Sequence, residues 1–85
     1  MNQSKQQIQE IALRIREMRQ IMSFSTEEMA IRPQLSEETY IEYENGNVDL
    51  PFSFIHKCAL AFGIELTDLL EGHSAHLTSY TVTRK

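Results

Sequence analysis

STEEMAIRPQLSEETYIEYENG, residues 25–46, reads as two short helices joined by a tight connection and closed by Glu44-Asn45-Gly46. Thr26 is the expected cap of the first helix, whose inward positions are Met29 and Ala30. Ser36 is the expected cap of the second, with Tyr40, Ile41 and Tyr43 as its apolar positions. Pro33 forces the first helix to stop, because the residue before a proline is pushed out of helical geometry. The small side chain of Ala30 lets the second helix cross close to the first. Asn45 and Gly46 close the second helix, glycine being able to take the left-handed conformation found there.

Outward from this pair, the pattern stays helical. Ile8, Ile11, Ile15, Met18 and Met22 recur at steps of three and four, which predicts one apolar stripe on a first helix from Lys5 to Met22, capped by Ser4. Asn47 to Leu50 form a loop, and Pro51 opens a further helix to Phe62, since proline has no backbone donor to lose in a first turn. Its inner face is Phe54, Ile55, Cys58, Ala59 and Phe62, and Gly63 stops it. Thr67 is the expected cap of a last short helix ending at Gly72. The chain is therefore predicted to be all-α, with five helices in one domain over residues 1–72.

Residues 73–85 differ in composition. Thr78, Tyr80, Thr81, Val82 and Thr83 favour a strand, with Tyr80 and Val82 on one side. A lone strand is not stable, so it must pair with another subunit, fold back, hang loose or begin a further domain. The last is the favoured reading and strand exchange in a dimer the second.

At 85 residues only one modest core is available. A charged share of 24% beside an apolar share of 41% suggests neither disorder nor a membrane class. The polar N-terminus and the lack of a long apolar run predict a cytoplasmic protein, and a single cysteine rules out an internal disulfide. The net charge of -4 argues against loose, charge-driven binding to nucleic acid. That charge is uneven. Seven acids against Arg32 lie between residues 26 and 49, whereas residues 1–25 carry a small excess of base.

The central pair has the form of a helix-turn-helix. Ile15-Arg16-Glu17-Met18-Arg19, Met29-Ala30, Ser36, Tyr43-Glu44-Asn45-Gly46, Pro51, Ala59 to Gly63 and Asp68-Leu69-Leu70 together make the chain resemble the phage-repressor-like family of the Cro and lambda repressors, often called XRE-like. The resemblance covers roughly Ile8 to Leu70. It implies a five-helix DNA-binding domain of a bacterial transcriptional regulator, commonly a homodimer, with its third helix in the major groove of double-stranded DNA. It also implies an internal ion pair between Arg19 and Glu44. Phosphate contacts are implied at Ser25 and Thr26 and at Asn45, Gly46 and Asn47, with base-reading positions at Glu37, Glu38, Thr39 and Glu42.

Two features depart from that pattern. Gln34 stands where the family usually has glycine, which predicts a different backbone path through the turn. The reading helix carries three carboxylates, which phosphate repels and which suit cytosine N4 among the base edges. The run from Glu71-Gly72-His73 to Arg84-Lys85 also resembles the junction between such a domain and a C-terminal cupin, a small β-barrel that senses ligands. That resemblance implies a longer regulator whose missing domain binds any effector.

Other readings of the same residues carry less. Glu27-Glu28 and Glu37-Glu38 sit in first helical turns, where acids favour the positive end of the dipole, so they read as structural rather than catalytic. His56, His73 and His76 lack the spacing of a helical ligand pair, apart from His73 and His76 in an expected loop, and neither a metal nor a cofactor is expected. Arg14 and Arg16 read equally as neighbours of the DNA backbone or as solvated charges. The competing function is a protein-interaction module, in which the acidic third helix docks on a basic surface and DNA binding is weak or absent. No enzymatic activity is expected.

Overall fold

The computed structural model describes residues 4–71, and five helices run through them: α1 Lys5–Ile21, α2 Thr26–Ile31, α3 Glu37–Glu44, α4 Phe52–Phe62 and α5 Leu66–Glu71. No strand occurs among the described residues. The expected strand at Tyr80 and Val82, and the domain boundary at residue 72, lie outside them. Among the described residues no helix is long and apolar enough to cross a membrane.

α1 begins at Ser4, whose side chain accepts from Gln7 N while the Gln7 side chain accepts from Ser4 N, so two otherwise unpaired amides are satisfied reciprocally. α2 repeats the device one residue earlier than expected. Ser25, not Thr26, is its cap, because Glu28 lies three residues on and takes the Ser25 N–H at 2.8 Å. Ser36 caps α3. Pro51 stands just before α4 rather than in its first turn. Thr67 lies inside α5, whose start is fixed instead by Asp68 reaching back to the Glu65 amide at 3.0 Å.

Three helices end in one way. The amides of Phe24, Leu35 and Ile64 donate to the carbonyls of Arg19, Ala30 and Ala59, five residues back. Each closure requires a left-handed residue just before that amide, and these are Ser23, Gln34 and Gly63. Gln34, with φ of 60°, therefore takes the path that glycine would take, and the different path expected from its identity is not found. The hydrogen bonds it completes offset the strain. Pro33 does not push the residue before it out of helical geometry as expected, for Arg32 keeps φ of -60° and ψ of -48°, and the chain leaves the helical path at Gln34.

The core joins Ile8, Ile11, Ala12, Ile15 and Met18 of α1 to Met29, Ala30, Tyr40, Leu50 and the inner face of α4. Met22 departs from the stripe expected on α1, since the helix has ended and the side chain is exposed. Ile41 is also exposed, at 39%, so the inner face of α3 is not Tyr40, Ile41 and Tyr43. It consists of Tyr40, Tyr43 and Glu44, which fall on one side of a 3.6-residue turn. Both tyrosine rings pack on Phe54 of α4, with centroids 5.7 and 4.8 Å away. At the far side Arg14 of α1 donates to the carbonyl oxygens of Leu69 at 2.8 Å and Leu70 at 3.5 Å, satisfying acceptors near the end of α5.

Cys58 is 1% exposed, and burial, reinforced by the charge of Glu44, pushes its thiol up to about 12. Burial and the hydrogen bond to Glu44 also raise the Tyr40 phenol above its ordinary range. Both groups stay protonated in the folded chain at pH values where the unfolded chain ionises them. Stability is thus full below the unfolded values and falls as pH rises past about 9, by up to about 1.4 kcal/mol per pH unit for each group. Urea midpoints at about pH 8 and about pH 10 should show that fall, and Cys58→Ala should remove the thiol's share of it.

Candidate functional site

α3 is held against the body of the protein by a buried polar cluster. Glu44, 6% exposed, accepts from Arg19 Nε at 2.8 Å and from Arg19 Nη2 at 3.1 Å, and it also accepts from the Tyr40 hydroxyl. Arg19 donates as well to the Phe24 carbonyl at 3.0 Å. A two-pronged pair of this geometry fixes register as well as charge. The Glu44 carboxylate raises Arg19 above its ordinary value, against the opposing effect of burial. One ion pair thus ties α1, the segment after α1 and the last turn of α3 together.

Arg16 extends that cluster to the surface. Its guanidinium lies 3.8 Å from Glu44 and donates from Nη2 to Asn45 Oδ1 at 3.3 Å. Sequence reasoning did not single out this contact. The signal was available, because Arg16 lies three residues before Arg19 and so shares its helix face. Arg14, by contrast, is occupied by α5 and by Glu10 at 3.6 Å.

The residues singled out from the sequence fall into three settings. Asn45 and Asn47 are exposed at the end of α3, and Gly46 between them is buried. The Gly46 amide is already committed to the Tyr43 carbonyl at 3.0 Å, so it is not free for an outside acceptor. Its φ is 74°, and a Cβ added there would lie 3.3 Å from the Gln9 backbone of α1. Glycine is needed both for the turn and for the close approach.

At the start of α2, Ser25 serves as the cap, and the Thr26 hydroxyl donates to Glu37 Oε2 at 2.6 Å. That contact draws the Glu37 carboxylate back to α2. Thr39 is half-buried, and its hydroxyl accepts from Ser36 at 2.9 Å. Glu38 and Glu42 are exposed, with Ile41 beside them on the outer side of α3. The helices α2 and α3 therefore present a short outward strip flanked by amide side chains, with no lysine or arginine on α3.

Among the described residues no group of three or more His, Cys, Asp or Glu is placed to hold a metal ion. His73 and His76 lie outside them. A family model described as a helix-turn-helix domain matches residues 12–74, most of the chain and all of α2 to α5. No curated protein and no solved structure matches the chain significantly.

Proposed function

Because the chain belongs to the helix-turn-helix domain family, we propose that it binds double-stranded DNA sequence-specifically as the DNA-binding part of a bacterial transcriptional regulator. The observation that carries this reading is the family match over a pair of helices whose second member leaves a strip of side chains exposed. In this reading α3 enters the major groove while Asn45, Asn47 and Ser25 donate to phosphate oxygens, which sets register without reading sequence. Arg16 supplies positive charge beside Asn45. Thr26 and Glu37 contribute through their mutual contact, and Gly46 contributes by shaping the turn. No reaction is catalysed.

The finer assignment is of the same kind. We place the protein among the phage-repressor-like, XRE-like regulators, acting as a homodimer in the cytoplasm. An effector, if one exists, would bind a C-terminal cupin for which residues 73–85 provide the lead-in.

The test uses double-stranded DNA selected by the protein from a random library. Affinity should fall with rising salt, because phosphate contacts release counterions. Asn45→Glu or Asn47→Glu should weaken binding on the order of tenfold, each exchanging a donor for a charge that phosphate repels. Undiminished affinity in both variants would remove this interface. The protein-interaction reading rests on the same exposed acids, and it predicts weak enrichment of duplexes or none.

A further inference from the structure

Ile41 is a branched hydrocarbon on the outer side of a helix that packs its other side on the core. It is 39% exposed, and Glu38 and Glu42, three residues before it and one after, are exposed with it. Residues three and four apart on a helix are neighbours, so Glu38, Ile41 and Glu42 form one contiguous strip. Glu37 is drawn aside to Thr26, and Thr39 is engaged by Ser36. What α3 offers outward is therefore two hydrogen-bond acceptors beside an apolar branch.

The major groove holds a definite complement to that strip. Guanine presents two acceptors, N7 and O6, which a carboxylate repels, and adenine sets its N7 acceptor beside its amino group. Cytosine N4 is a donor that a carboxylate accepts from, and the C5-methyl of thymine is an apolar partner for an aliphatic side chain. Both favourable features belong to pyrimidines. The acids also reject the alternatives, and rejection of this kind is half of specificity.

Resting on the DNA-binding reading above, we propose that Ile41 is a specificity-determining residue that packs on the C5-methyl of a thymine, while Glu38 and Glu42 accept from N4 of neighbouring cytosines. The strand read by α3 is then rich in pyrimidines. Ile41 is the centre of this surface, because it supplies an attraction that does not depend on the charge of α3.

The experiment begins with selection from a random double-stranded library by the wild-type protein. Affinities of wild type and Ile41→Ala are then measured on the selected duplex and on the same duplex with uracil in place of thymine, which removes only the methyl groups. The exposure of Ile41 makes the alanine variant a fair comparison, and matched melting curves check its fold. Selected sites should place cytosine beside thymine. Uracil should weaken the wild type about fourfold for each contacted methyl, the worth of one buried carbon, and should leave Ile41→Ala nearly unaffected. Glu42→Gln should shift one preferred position from cytosine toward adenine, which pairs with an amide through two hydrogen bonds.

A wild type that selects a sequence yet binds the uracil duplex equally well overturns the proposal and leaves the DNA-binding reading intact. Equal losses in wild type and Ile41→Ala overturn it in the same way. A wild type that enriches no sequence overturns both.

Discussion

Replacing Arg19 by methionine is expected to lower the melting temperature by more than about 12 °C. Methionine keeps the length and apolar volume of the side chain but leaves Glu44, 6% exposed, facing only the Tyr40 hydroxyl and a guanidinium 3.8 Å away. Breaking a buried pair from one side costs about 3–5 kcal/mol, since the remaining charge keeps its desolvation penalty and loses its partner. For a domain of this size each kcal/mol is worth roughly 4–8 °C. The triple variant Arg19→Met, Tyr40→Phe and Glu44→Leu should recover most of the loss, because well-packed apolar groups often replace a buried ion pair at little cost and Tyr40→Phe removes the hydroxyl that Glu44→Leu would leave without an acceptor. Calorimetry on the two variants and the wild type decides the matter. A triple variant no better than Arg19→Met would mean that the pair stabilises the fold in its own right.

The second large effect is expected at Gly46. Substitution by alanine forces a left-handed residue to carry a Cβ, a cost of about 1–2 kcal/mol, and sets that Cβ 3.3 Å from the backbone of α1 at Gln9. Overpacking of this kind adds about 1–3 kcal/mol, because α1 and the end of α3 must separate. Gly63 is the internal reference. Its φ is 71°, yet an added Cβ there meets nothing within 4 Å. Gly63→Ala should therefore cost the conformational share alone, and the difference between the two urea midpoints measures the approach of α3 to α1. Equal losses would show that backbone strain accounts for both.

Much of the architecture was readable from local chemistry. Helix-forming stripes, the caps at Ser4 and Ser36 and the glycine at position 63 define elements through neighbours within one turn. The misplaced cap at α2 was legible in principle, since Glu28 lies three residues from Ser25 and Met29 three from Thr26. Ile41 was not legible in the same way. A short helix with Tyr40, Ile41 and Tyr43 suggests an aromatic and aliphatic inner face. The inward position beside Tyr40 is instead taken by Glu44, which burial tolerates only because Arg19 lies opposite. That partner is 25 residues away in sequence. Gln34 differs, because the carbonyl that rewards its left-handed backbone is that of Ala30, in the helix it closes, and the residue type alone hid the closure. The candidate site was legible as a segment. The contacts that draw Glu37 aside and link Arg16 to Asn45 depend on how helices meet.

Ser23 and Gln34, the two non-glycine residues with positive φ among those described, bracket α2 on either side. Each holds on the order of 1–2 kcal/mol of backbone strain that glycine would relieve, less about 0.5–1 kcal/mol for the greater freedom of glycine when unfolded. Neither lies on the outer strip of α3. The fold thus has stabilising changes open to it at positions remote from Glu38, Ile41 and Glu42. Descendants of this sequence that acquire them gain tolerance for destabilising exchanges on α3. The strained turns around α2 mark where an evolving lineage can drift before the outer strip of α3 has to change.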